Sequence, residues 1–425
     1  MRARGAKPWT TAHGPGTLTP MTSVTTPLPG TGLPPGFVLV EAPHADDVDA
    51  PGAWAYRAVA DVDAEVQRET HGHDDMALAP ADVVTGMRIQ EYAHKRRFVV
   101  VRDAALDAAR ADGAAPPAAD DVVGHLFLCL PVTSNTHLAE VYPFVRPAAR
   151  RQGIGSALLA LGERLALDAG RTVLYSTTEH GSEPPAGPGA LVATTGSGRV
   201  PADAPGARLA LAHGYALEQV DRHSVLDLPL PAGVLERHGA DARAAVGDDY
   251  RTHTWTDAVP DERADQVALL FTRMSTDAPV GGVDYGEDPW DARRVRTWVD
   301  QLRSTRHGFL MTVAEHVPTR TLAAFTVLEL PQDRPAVVLQ EDTLVLREHR
   351  GRRLGMHVKV VNLVALRDAR PGSRRVHTGN AEENTHMLAI NVALGFRPAG
   401  TWASWQRRIL GAGPAAETVD EERDA

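Results

Sequence analysis

The sequence predicts an α/β protein of two tandem units, each a mixed, twisted sheet flanked by helices. The first sign is a duplicated stretch. Val145-Arg146-Pro147-Ala148-Ala149-Arg150-Arg151-Gln152-Gly153-Ile154-Gly155 is echoed 200 residues later by Val345-Leu346-Arg347-Glu348-His349-Arg350-Gly351-Arg352-Arg353-Leu354-Gly355. The second sign is context, since each copy follows an apolar, strand-like run and opens a segment with helical periodicity. Ile154, Leu158, Leu161 and Leu165 carry that period in one copy, and Leu354, Val358, Val361 and Ala365 in the other. The third lies upstream, where Leu128-Cys129-Leu130-Pro131 corresponds to Leu328-Glu329-Leu330-Pro331.

Taken in order, residues 1–35 are rich in Pro, Gly and Thr without periodicity and are expected to be a disordered extension, with Met21 an alternative start. The first unit, 36–228, begins with a strand at Phe37–Val40. Helices are expected around 58–68 and 80–92, and a strand at 97–102 precedes a loop rich in Ala, Asp and Pro. Strands at 124–130 and 137–145, a helix at 155–169 and a strand at 172–176 follow. A Pro/Gly/Ala-rich insertion at 179–205 displaces the last helix to 207–212, and Gly214-Tyr215 opens a closing strand through 220–228. A linker, 229–247, leads to the second unit, 248–411. There helices at 261–274 and 289–303 precede strands at 309–315, 321–330 and 336–346. A helix after the second basic loop, a short strand at 376–378, a helix at 384–394 and a strand through Trp402 and Trp405 complete it. Residues 412–425 read as an acidic, disordered tail.

A basic, glycine-bearing loop at a helix N-terminus is an anion site, because the first turn offers unpaired N–H groups and the positive end of the helix dipole. Glycine lets a diphosphate approach the backbone where a Cβ would obstruct it. At these residues the chain resembles the Gcn5-related N-acetyltransferase (GNAT) superfamily, whose acetyl-CoA loop reads Gln/Arg-x-x-Gly-x-Gly/Ala after a strand ending in Val-x-Pro. Arg150, Gly153 and Gly155 match position for position; the second copy keeps Arg350 and Gly355 but has Arg353 at the first glycine. The resemblance implies acetyl-CoA as acyl donor. Its diphosphate would be held by Arg150, Arg151, Gln152, Gly153, Ile154, Gly155 and Ser156, and by Arg350, Gly351, Arg352, Arg353, Leu354 and Gly355 in the second unit. Val145 and Val345 would bond the pantetheine arm, and Asn384 would touch it or cap its own helix.

Acetyl transfer to an amine also needs a base, a proton for the departing thiolate and donors for the oxyanion. Family members often carry Glu or His nine or eleven residues before the loop arginine. Those positions are Glu341 and Leu339 in the second unit, and Val141 and Ala139 in the first, with Glu140 on the opposite face by the strand period. Catalysis is therefore expected in the C-terminal unit at Glu341, with Asp342 in reserve. The family's usual acid, a Tyr four residues before the closing Gly-Phe, is replaced by Asn391 and Ala210, leaving Tyr285, His377 or His386. The loop 277–288 is expected to wall the second unit's acceptor site, with Asp277, Asp284, Glu287 and Asp288 drawing in a protonated amine beside Tyr285 and Trp290.

A net charge of −10 and a pI near 6.0 argue against a nucleic-acid surface. The single Cys129 excludes an internal disulfide. His71-Gly72-His73 lacks a second ligand pair, so no metal is expected. No run reaches the roughly 18 apolar residues of a membrane span, and no signal pattern opens the chain. A cytoplasmic enzyme, monomeric or homodimeric, acetylating a small-molecule primary amine is the expectation. The Ala/Arg-rich, Lys-poor composition suggests a GC-rich, actinobacterial genome. The tandem layout is similar to that of the mycothiol synthases, and a CoA-sensing protein without turnover is the alternative of another class.

Overall fold

The computed structural model describes residues 27–111 and 116–409. The expected N-terminal extension up to residue 26, and the acidic tail from residue 410, lie outside the described residues. Residues 27–35, also assigned to that extension, follow the core instead: Leu28 and Leu33 pack against it, and the Leu28 N–H donates to the Leu39 carbonyl.

The first unit runs β1 (Phe37–Glu41), α1 (Trp54–His71), α2 (Pro80–Arg88), β2 (Ala93–Arg102), α3 (Asp103–Ala111), β3 (Val122–Pro131), β4 (Leu138–Val145), α4 (Ile154–Asp168) and β5 (Val173–His180). A small hairpin, β6 (Ala190–Val192) and β7 (Arg199–Pro201), occupies the insertion before α5 (Pro205–Ala212) and β8 (Ala216–Asp227). After α6 (Val234–Val246), the second unit runs β9 (Tyr250–Thr256), α7 (Ala264–Asp277), α8 (Ala292–Ser304), β10 (His307–His316), β11 (Thr321–Pro331), β12 (Val337–Val345), α9 (Leu354–Ala369), β13 (Arg375–Ala381), α10 (Thr385–Leu394) and β14 (Arg397–Arg408).

Local chemistry accounts for most of these bounds. Helix α1 buries Ala55, Val59 and Val62 at helical spacing and stops at Gly72, whose φ of 76° lets its N–H return to the Arg68 carbonyl. Asp291 caps α8 by accepting from the Arg294 N–H. Helices α3 and α6 occupy segments read from the sequence as loop and linker. The prolines of 229–231 mask the start of α6, but Leu235, Ala242 and Val246 are buried, and Gly239 lets α6 approach Val360 of α9.

The sheet departs most from two self-contained units. Its order is β1-β2-β3-β4-β5-β14-β8-β13-β12-β11-β10-β9, twelve strands in one sheet among the described residues. The closing strand of each unit is seated against the fifth strand of the other. β14 pairs antiparallel with β5 from Thr401↔His180 to Arg408↔Val173, and β8 pairs antiparallel with β13 from Arg375↔Asp227 to Ala381↔Asp221. β8 and β14 also pair with each other and form the seam. The boundary at 228–248 thus divides the chain in sequence, while β8 and β14 belong to both halves in space.

Two apolar layers sandwich each half. Against one face of the first half, Leu126, Leu128, Ala139 and Val141 meet Ile154, Leu158 and Leu161 of α4, together with Trp405 of β14. Val99, Val101 and Val122 on the other face meet Val59 and Val62 of α1. Trp405 is 0% exposed and its indole N–H donates to Thr178 Oγ1 at 2.8 Å. Trp405→Ala should lower the unfolding free energy by about 3–5 kcal/mol. In native-state hydrogen exchange, protection should fall first in β5 and β8, and a loss confined to β9–β12 would contradict the exchange of strands.

Candidate functional site

In both halves two parallel strands pair at their start and then part. β4 and β5 are in register only from Leu138↔Val173 to Glu140↔Tyr175, although they continue to Val145 and His180. β12 and β13 pair only from Val337↔Arg375 to Leu339↔His377. Pro143, which has no N–H, fits within β4 because at its register the backbone nitrogen faces the gap. By the two-residue period the main-chain groups of Val141 and Val145 face the same gap.

The basic loops close the gaps. Neither α4 nor α9 has a side-chain N-cap, so their first-turn N–H groups stay available, with Gln152, Gly153, Arg352 and Arg353 exposed beside them. The loops share a backbone but not a sequence. Left-handed φ occurs at Arg151 (63°) and Gly153 (91°) in one, and at Gly351 (79°) and Arg353 (56°) in the other. The glycine missing at 353 is thus offset by one at 351, two residues earlier. An added Cβ at Gly155 would make an ordinary 3.4 Å contact with Leu209, while at Gly355 it would lie a tighter 3.2 Å from Ile390. These features fit a diphosphate held chiefly by backbone.

Arg150 and Arg350, expected to add charge for the diphosphate, are engaged within the protein. Their Nε groups donate to the Val145 and Val345 carbonyls at 3.1 and 3.0 Å, the groups expected to hold pantetheine. Arg150 pairs with Glu69 of α1 at 2.6 Å, and Arg350 with Asp277 of α7 at 2.8 Å. Arg151, Arg352 and Arg353 are the exposed cations of the loops. Asn384 caps α10, accepting from the Met387 N–H at 3.3 Å, and Asn380 accepts from Asn391 instead of sharing that role.

The carboxylates are arranged differently from the expectation built on Glu341. The β3–β4 register is unbroken, whereas β11–β12 shifts between Thr326↔Thr343 and Leu328↔Gln340. Glu341 and Asp342 therefore oppose a single residue in a β-bulge, and the strand period used to align them no longer holds. Glu341 stands exposed on this bulge, and Asp342 is half-buried, its carboxyl pushed up by burial. Ala139 and Val141, counted as the base positions of the first unit, pack against the α4 side.

Glu140 lies on the opposite face, the α1/α2 side. It is 6% exposed and opposite Cys129, and burial pushes its carboxyl up to about 7 against the opposing effect of the Tyr142 hydroxyl, which donates to it at 3.1 Å. Phe127 stacks on Tyr142 at 6.1 Å, and Tyr175 meets Tyr142 edge-on at 6.4 Å. Burial and the neighbouring Glu140 charge keep the hydroxyls of Tyr142 and Tyr175 neutral far above physiological pH. Sequence reasoning set Glu140 aside as lying on the opposite strand face. The buried apolar neighbours of Ala139 and Val141, which claim those positions for the core, were the signal for the other face.

A family model described as "Acetyltransferase (GNAT) family" matches residues 87–186. A solved tandem GNAT protein from the clavulanic acid biosynthesis pathway is 27% identical, with a TM-score of 0.64 over 89% of this chain and 100% of that one. This chain is a tandem member of the GNAT superfamily. A GCN5-related N-acetyltransferase from Sphaerobacter thermophilus shares the fold, at 16% identity and a TM-score of 0.54 over 88% of this chain and 96% of that one. No curated protein matches.

In this tandem GNAT protein each half lends a loop to the other. The segment after α7, expected to wall the second unit, crosses to the first. The Asp284 N–H donates to Gln406 Oε1 at 2.6 Å, the Gly286 N–H donates to Asn135 Oδ1 at 2.6 Å, and Ser134 Oγ donates to Asp288 at 2.6 Å. Tyr285 arrives half-buried near Glu140 and Cys129, its hydroxyl held neutral by burial and by the Glu140 charge. Reciprocally, the loop after α1 carries Asp75 to β13 of the second half. Burial opposes its charge, but hydrogen bonds from His377 and Arg375 hold its carboxyl far below the usual range.

The second half's equivalent of Glu140 is Leu339, and the place of Cys129 is taken by Glu329, which pairs with His307. His377 is engaged by Asp75 and His223, while His386 is exposed. His71 and His73 join this histidine stack at the seam, with His71 also bonding Glu179 at 3.0 Å. Among the described residues no group of His, Cys, Asp or Glu is disposed to hold a metal, and no helix is long and apolar enough to cross a membrane.

Gly153→Ala tests the loop directly. An added Cβ meets nothing within 4 Å, so its cost is conformational. It should lower stability by about 1–2 kcal/mol and weaken CoA binding, measured by thermal unfolding and calorimetric titration. A neutral result in both would show that the left-handed turn is not required.

Proposed function

We propose that the protein is an acetyl-CoA-dependent N-acetyltransferase of a small-molecule primary amine, with its chemistry in the N-terminal unit and Glu140 as general base. This moves the reaction from the second half, where Glu341 had been the expected base. One observation carries the reading: a buried carboxyl at the point where β4 and β5 part, held near neutrality beside tyrosine hydroxyls. A base is most effective when its pKa lies near working pH, and burial achieves this for Glu140.

The α4 N-terminus and the exposed cation of Arg151 receive the donor's diphosphate, and the open edge of β4 receives its arm. Glu140 removes the ammonium proton of the acceptor, freeing the lone pair to attack the thioester carbonyl. Glu140 passes that proton to solvent; as the C–S bond breaks, Tyr142 gives its proton to the departing thiolate and recovers, through Glu140, the second proton lost by the tetrahedral nitrogen, so one proton is released per turnover. Tyr142 fills the role for which no tyrosine stands before Gly214 or Gly395. The second half lacks a buried base at the matching position, and the paired start of its β13 is tied to the Asp75 loop through Arg375 and His377, which suits donor binding or support of the first half.

Glu140→Gln should reduce kcat by about 10²–10⁴ with CoA affinity unchanged, in a thiol-release assay with acetyl-CoA and a primary amine acceptor. Because ionised Glu140 is the active form, wild-type kcat/KM should rise with pH through about 7, and that limb should vanish in the variant. The same assay should find Glu341→Gln within about twofold of wild type, the range of an exposed side chain outside the reaction. A large loss at Glu341 with Glu140→Gln active would return catalysis to the second half.

A further inference from the structure

We infer that the acceptor is a monoamine on an aromatic or alkyl body, and that its body rests on tyrosine rings of which one, Tyr285, is supplied by the other half of the chain. This deepens the reading above and rests on the first-half site being the acetylation site.

The walls around Glu140 are mostly rings. Phe127 and Tyr142 stack on the same face of β3 and β4, Tyr175 stands edge-on from β5, and Tyr285 comes in from the crossing loop, whose Asp284 N–H donates to Gln406, the β14 partner of Tyr175. Such surfaces take up apolar area and the face of a single ammonium. A polyamine or aminoglycoside would need a carboxylate for each further charge, and three of the crossing loop's four carboxylates are already used. Asp277 is held by Arg347 and Arg350, Asp284 by Arg408 and His137, and Asp288 by Arg294 and Ser134. Glu179 bonds Gln67 and His71, and Glu287 is exposed on the loop. A cation already lies against this wall, since the Arg97 guanidinium sits 4.5 Å from the Phe127 ring centre. One amine can lose its charge to Glu140; additional ammonium groups would face a guanidinium and neutralised acids. Three of the four carboxylates predicted to draw in a cation instead fasten the loop, and beside the exposed Glu287 the loop presents Tyr285.

The test is acetyl-CoA thiol release with 2-phenylethylamine and hexylamine against spermidine and kanamycin, using the full chain. The monoamines should have kcat/KM at least about tenfold higher. Tyr285→Ala should raise KM for 2-phenylethylamine about tenfold with kcat within about threefold, while Tyr285→Phe stays near wild type and both variants bind CoA as before. Preference for spermidine or kanamycin, or an unchanged KM in Tyr285→Ala, overturns the inference while acetyl transfer stands. CoA binding without turnover of any amine would overturn acetyl transfer itself, and the acceptor class with it.

Discussion

The structure depends on one constraint, the antiparallel seam in which β14 lies between β5 and β8, and β8 between β14 and β13. A parallel strand pair left open at its far side would expose a row of unpaired backbone groups. The chain covers each such edge with the last strand of the other half. Trp405, from the end of the described chain, is consequently buried in the core built around α4. Neither fifth strand has its neighbour until both halves have been made, so folding of the halves is coupled through β8 and β14.

The seam also brings the halves close enough to exchange loops. Each loop leaves a helix whose carboxylate holds the arginine of its own phosphate loop: Glu69 with Arg150 before the Asp75 loop, and Asp277 with Arg350 before the Tyr285 loop. Each basic loop and the segment crossing to the other half are thus joined by a few ordered residues. The two halves nevertheless diverged at their gaps. One presents a buried acid among rings, while the other has Asp75 bonded to Arg375 at the start of β13 and its main-strand acids on a bulge.

That bulge explains why the duplicated numbering misleads. Strand β12 begins at Val337 and β4 at Leu138, so the second hairpin is one residue shorter. The extra residue is accommodated beyond Gln340, and the loops return to the 200-residue offset by Val345. Sequence alignment therefore equates Glu341 with Val141, but the sheet register equates Leu339 with Glu140. A one-residue slip moves every side chain to the opposite face, which turned the apparent active carboxylate into an exposed one.

By itself the sequence determined the α/β class, the repeat, the paired basic loops and most strands and helices, because periodicity and helix-start chemistry are local properties. It also determined that a ring-bearing loop follows α7. Tertiary structure alone decided which half that loop serves, which strand completes which sheet edge, and which carboxylate is desolvated. Those outcomes depend on pairings between residues more than a hundred positions apart, such as Trp405 with Thr178 and Gly286 with Asn135. Burial, which moves Glu140 toward neutrality, is a property of that assembled environment and is encoded by no spacing within the strand.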